Sequence, residues 1–148
     1  MLGTALIEAG QEEAGMAELR LSARDYPGAL FAIGTELTVA NRFDEAIDVL
    51  QQFLRALPNH VNAVPARELL GRAYAGKGDL PAAREELRVL VRQAPGYVMG
   101  HDLLARILAS QGDYAGAAAE FEQVVALAPG NAEARRNLQS VRQLANQR

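Results

Sequence analysis

Residues 98–131, VMGHDLLARILASQGDYAGAAAEFEQVVALAPGN, read as two amphipathic helices joined by one tight turn. In the second half Tyr114, Ala117, Ala118, Phe121, Val124, Val125 and Ala128 recur at the spacing of one helical face. The first half differs: Leu103 and Ile107 form one row, Leu104 and Leu108 the next, an apolar surface wide enough for a helix packed on both sides. Between the halves, Gly112 suits the left-handed conformation that ends a helix, and Asp113 suits the cap of the next. Pro129 stops the second helix.

The unit recurs upstream. Pro27, Pro58, Pro95 and Pro129 close the segments ARDYPG, RALPNH, RQAPGY and ALAPGN, at separations of 31, 37 and 34 residues by subtraction. Aligning on those prolines brings Gly34, Gly71 and Ala105 into register, preceded by Ile33, Leu70 and Leu104 and followed three residues later by Leu37, Tyr74 and Leu108. Ala46, Ala83 and Ala117 align too, each followed four residues on by Leu50, Leu87 or Phe121. Small residues at matching places on both helices let two backbones approach. Asn41 replaces the turn glycine of the second unit, as an Asn can, and Gly78-Asp79 repeats the turn and cap. The 37-residue interval is explained by PNHVNAVP, residues 58–65, a linker three residues longer than the others with Asn62 as a candidate cap.

This pattern resembles the tetratricopeptide repeat, a 34-residue helix-turn-helix whose signature sets a large residue, Leu-Gly, Tyr, Ala, Phe and Pro at fixed offsets. LLGRAY, residues 69–74, and GDYAGAAAEF, residues 112–121, are close matches. Leu2, Gly3, Leu6, Gly10, Leu19 and Pro27 fall on the same offsets if the first repeat lacks its initial turn. The resemblance therefore covers almost the whole chain. It implies an all-α, tetratricopeptide-like α-α superhelix: one array over 1–148, with repeats at about 1–27 (truncated), 27–60, 64–97 and 98–131 and a C-terminal capping helix at 131–146. Helices are predicted near 1–9, 13–24, 28–40, 43–56, 63–76, 80–93, 97–110 and 114–127. In the cap, Asn131 starts the helix, Leu138, Val141 and Leu144 form a narrow stripe, and Gln139 stands where a packed helix would need a small residue. The first repeat begins midway through a helix, which suggests a piece of a longer array and an uncapped end open to self-association.

Composition narrows the function. Of 148 residues 49% are hydrophobic and none is cysteine, so a packed array is affordable while disulfides and thiolate metal sites are excluded. Charges break every apolar run short of the ~20 residues of a membrane span. The opening MLGTALIEAGQEEAGMAEL has neither the basic start nor the apolar stretch of a secretory signal, so the compartment stays open between cytoplasm and periplasm. Net charge is −3, with −3 over residues 1–26 (five acids, two bases) and +3 over 131–148 (four arginines, one glutamate). An acidic chain without a clustered basic face is not expected to bind nucleic acid.

Catalytic chemistry has little to work with. His60 falls in the linker, His101 at an offset where the resemblance implies a packing residue, and Lys77, the only lysine, beside a turn. No His/carboxylate cluster has metal-ligand spacing, and no glycine loop follows a strand. The expectation is a non-enzymatic protein without cofactor or metal.

The family resemblance implies instead a concave groove lined by the first helix of each pair. Its usual contact offsets carry over onto Thr4, Ile7 and Glu8, then Phe31, Thr35, Thr38 and Val39. The next repeats offer Glu68, Arg72 and Ala75, then Met99, Asp102, Arg106 and Ala109, with Arg136 and Ser140 on the cap. Of these, Phe31, Thr35, Thr38, Glu68, Arg72, Met99, Asp102 and Arg106 are the candidate peptide-binding residues. Glu68 with Arg72 and Asp102 with Arg106 repeat at i, i+4; they read either as surface pairs worth about 0.2–0.5 kcal/mol each or as guanidinium forks ready for a peptide carboxylate or carbonyl. Phe31 and Met99 supply apolar pockets or fill gaps between helices. Phe31, Thr35 and Leu69 occupy offsets where a well-known subset of the family carries the Lys and Asn of a two-carboxylate clamp, which argues against that clamp here. The sequence thus points to a scaffold for a protein or peptide partner. The alternative is a regulatory or substrate-recruiting domain of a larger enzyme or of an envelope or secretion assembly.

Overall fold

The computed structural model describes residues 2–147. Among them are nine α-helices and no strand: α1 Leu2–Glu8, α2 Glu12–Asp25, α3 Ala29–Val39, α4 Phe43–Ala56, α5 Ala63–Lys77, α6 Leu80–Gln93, α7 Val98–Ser110, α8 Tyr114–Leu127 and α9 Ala132–Ala145. None is long and apolar enough to cross a membrane. They fall into two compact units, Met1–Lys77 and Gly78–Arg148.

Turn chemistry sets the helix ends. Gly10, Asn41, Gly78 and Gly112 all take positive φ, at 80°, 58°, 90° and 79°. Asn41 is the only non-glycine among them, and an asparagine tolerates that region at modest cost. The Asp79, Asp113 and Asn131 side chains accept from the amides of Ala82, Gly116 and Ala134 at 3.1, 2.9 and 2.9 Å, capping α6, α8 and α9.

In the first unit, α1 and α2 touch backbone to backbone. A Cβ added at Gly15 would lie 2.5 Å from the Gly3 carbonyl oxygen, and one at Gly3 2.8 Å from that of Gly15. Gly34 performs the same service between α3 and α4, with Leu50 filling the space a side chain would need. The core is built around Phe53, Leu50, Leu37, Ile33, Leu19 and Leu70. Tyr74 accepts from Gln51 Nε2 at 2.9 Å, and Lys77 pairs with Asp44, so α5 is tied to α4 at its polar edge as well as through the core.

The linker expected over 58–65 overlaps the helix expected from 63, and the structure follows the helix: α5 begins at Ala63, which places Pro65 inside the first helical turn, where its missing N–H leaves no bond unmade. The connection is therefore residues 57–62, closed by His60 N–H to the Leu57 carbonyl at 3.2 Å and by Asn62 N–H to His60 Nδ1 at 3.1 Å.

In the second unit Leu87, Leu90, Leu104, Leu108, Phe121, Val124, Leu138 and Val141 are buried. The buried stripe of α9 is Ala134, Leu138 and Val141; Leu144, expected within it, lies in the last turn of the helix and is 40% exposed. Gln139 is exposed. His101 is buried, as a packing residue should be, but it also carries polar contacts. Its Nε2 donates to the Pro95 carbonyl at 2.9 Å, and its Nδ1 lies within hydrogen-bond distance of Glu120 Oε2 at 2.7 Å, joining the start of α7 to the preceding turn and to α8. His101→Leu keeps the packing but strands a carboxylate and a carbonyl. It is expected to cost about 1–3 kcal/mol in urea denaturation, and an unchanged midpoint would show the two contacts to be neutral.

Candidate functional site

The candidate residues lie on α3, α5 and α7, the first helices of their pairs. In the first unit the candidates divide by environment. Phe31 is half-buried, its ring centroid 5.7 Å from that of Phe53, so it belongs largely to the core. Thr35 and Thr38 donate their hydroxyls to the carbonyls of Phe31 and Gly34 at 2.9 and 2.7 Å, leaving oxygen lone pairs to accept from a ligand. On α5, Arg72 meets Glu68 at 2.7 Å, the expected i, i+4 pair, with Glu68 nearly covered and Arg72 open. Val39 is exposed beside a shallow cleft shared with Ile7, Glu12 and Glu36.

In the second unit the candidates converge further than their spacing foretold. Met99 is 42% exposed. Arg106 Nε donates to Asp102 Oδ2 at 2.7 Å, and its Nη2 donates to Glu133 Oε1 at 2.8 Å, so one guanidinium bridges α7 to α9 across two carboxylates. The hydrogen bonds to Asp102 and Glu133 raise the Arg106 pKa above its ordinary value, and its charge is permanent. One guanidinium against two carboxylates leaves this trio at a formal −1. Beside the bridge, a cleft of 260 Å³ opens between α7 and α9, lined by Arg106, Ala109, Phe121, Asn137, Ser140 and Val141.

Glu133 and Asn137 are absent from the row carried over from family offsets, which selects Arg136 and Ser140. The structure aligns Glu133, Asn137 and Ser140, an i, i+4, i+7 row that a helical projection of α9 contains. What the sequence lacks is the fact that Arg106, 27 positions upstream, reaches that row.

Chemically, this surface can accept and donate hydrogen bonds, hold charge and bury an apolar side chain. Among the described residues no three His, Asp or Glu side chains come together as metal ligands.

A family model described as tetratricopeptide repeat matches residues 31–98, and a second of the same description matches residues 98–131. No curated protein matches the chain. Among solved structures, MamA aligns over 99% of this chain and 90% of its own with a TM-score of 0.83 at 17% identity. YrrB, described as a TPR protein with an unusual peptide-binding site, aligns over 99% of this chain and 75% of its own, with a TM-score of 0.81 at 20% identity. The first TPR of Spaghetti (RPAP3), bound to the HSP90 peptide SRMEEVD, aligns over 79% of this chain and 90% of its own, with a TM-score of 0.73 at 20% identity. At these identities the likeness is one of fold.

Proposed function

The chain belongs to the tetratricopeptide repeat family, and from that premise we propose that it is a scaffold without catalytic activity that holds a partner's peptide segment against the first helices of its pairs. The observation that carries this reading is the 260 Å³ cleft between α7 and α9, where apolar Ala109, Phe121 and Val141 lie beside the polar side chains of Arg106, Asn137 and Ser140. A preformed surface of this kind spares the module an ordering cost on binding. Similar folds give the reading a precedent, since one of them is described with a bound peptide. The partner differs in chemistry from that acidic peptide, because Phe31, Thr35 and Leu69 stand where a two-carboxylate clamp would need Lys and Asn.

A random peptide library displayed on phage and panned against the intact chain is expected to enrich peptides of a common pattern. An enriched peptide, added to ¹⁵N-labelled protein, should shift amide resonances of α3, α5, α7 or α9 and leave Asp48 and Glu122, on the second helices α4 and α8, in place. No enrichment, or shifts confined to α4 and α8, would remove the groove from consideration.

A further inference from the structure

We infer that the α7–α9 cleft is a subsite for one apolar side chain of an extended peptide, with a Lys or Arg two positions away in that peptide held at Glu133. The inference rests on the peptide-binding reading and names the partner's chemistry.

Size comes first. At 260 Å³ the cleft falls below the roughly 300 Å³ at which small-molecule pockets begin, so it suits a single side chain better than a cofactor. Ala109, Phe121 and Val141 give that side chain apolar contact, and the Asn137 amide and Ser140 hydroxyl stand at the rim, able to donate to or accept from a peptide backbone.

Charge comes second, and it reverses the simplest reading of the sequence. An arginine on a groove face invites a carboxylate, but Arg106 already spends Nε on Asp102 and Nη2 on Glu133. An incoming carboxylate would have to displace one of two charge-assisted bonds and enter a trio with a formal charge of −1. A cation meets the opposite situation. Glu133 is 59% exposed on its side chain and Asp102 is 15% exposed, so the outer carboxylate can gain a second partner without releasing the first.

Spacing comes third. Glu133 precedes Asn137 by four residues of helix, a rise of about 6 Å. In an extended peptide, side chains on the same side are two residues apart, about 6.8 Å. The cation at Glu133 and the apolar anchor in the cleft that Asn137 helps to line therefore match positions i and i+2 of one strand.

The test uses the intact ¹⁵N-labelled chain and three end-capped peptides with Lys-Ala-Leu, Glu-Ala-Leu and Lys-Ala-Ala cores in one alanine-glycine background. The Lys-Ala-Leu peptide is expected to shift Arg106, Ala109, Asn137 and Ser140, with each of the other two at least about tenfold weaker, a difference of about 1.4 kcal/mol. Ser140→Trp, a change at an exposed position, should fill the cleft and abolish those shifts. Glu133→Gln should erase the preference for Lys over Glu and keep that for Leu over Ala. Equal or tighter binding of the Glu-Ala-Leu peptide would overturn the inference, as would the absence of shifts at these residues at millimolar peptide. A phage-selected peptide that shifts only α3 and α5 would remove this subsite and leave the proposed function standing, whereas a selection that enriches nothing would remove both.

Discussion

Phe53→Ala is expected to destabilise the protein by about 3–5 kcal/mol, the largest single loss anticipated for the chain. Phe53 is fully buried, edge-on to His60 at 5.5 Å between ring centroids and tilted against Phe31 at 5.7 Å. It thus supports three features at once: the body of α4, the candidate residue Phe31 on α3, and the 57–62 connection through His60. The core around it includes Leu50 and Leu70, which are themselves fully buried, so the space left by the ring closes only as far as half-buried Phe31 and His60 can shift. Urea denaturation followed by circular dichroism measures the loss, and hydrogen exchange should show it across α3, α4 and α5. A loss under about 1 kcal/mol would mean that the core relaxes around the gap, and that the aromatic contacts are incidental.

Leu50→Ala comes next, at about 2–5 kcal/mol, and its value lies in what it does to a neighbour. Alanine at position 34 should by helix propensity gain up to about 1 kcal/mol over glycine. Here its Cβ would fall 2.5 Å from Leu50 Cδ2 and 2.6 Å from Leu50 Cγ, a contact that a fully buried leucine cannot relieve by turning away. Gly34→Ala is therefore expected to destabilise the native protein and to stabilise the Leu50→Ala variant, where the new methyl enters the vacated space. The interaction between the two should fall in the range of about 0.5–3 kcal/mol found for residues in contact. Stabilisation by Gly34→Ala in the native background would show that α3 and α4 are not held at the separation described above.

These two experiments mark how far the sequence is legible. Repeat register marks Gly34 and Ala46 as the small residues where α3 and α4 approach, but that the Gly34 backbone is covered by Leu50, one turn beyond Ala46, is a matter of side-chain packing that register does not give. Register also locates the turns at Asn41, Gly78 and Gly112 and the caps at Asp79, Asp113 and Asn131. Pro65 is harder, since a proline ends one helix and opens another with equal ease. The candidate site is only half legible. Glu68 with Arg72 and Asp102 with Arg106 follow from helical spacing, whereas the second bond of Arg106 to Glu133 and the pairing of His101 with Glu120 depend on which way long side chains lean between helices. Register places backbones; it does not choose among the rotamers of arginine and glutamate.

The pattern of helix contacts has a bearing on how the protein is made. In the first unit each helix packs against the one that follows it, with α3 against α5 as the longer-range exception, and in the second unit α6, α7, α8 and α9 meet in chain order. A chain leaving the ribosome N-terminus first can therefore bury each apolar face soon after it emerges, without waiting for a distant segment. During synthesis, the interval in which Phe53 or Phe121 stands in water is about as long as one further helix takes to arrive.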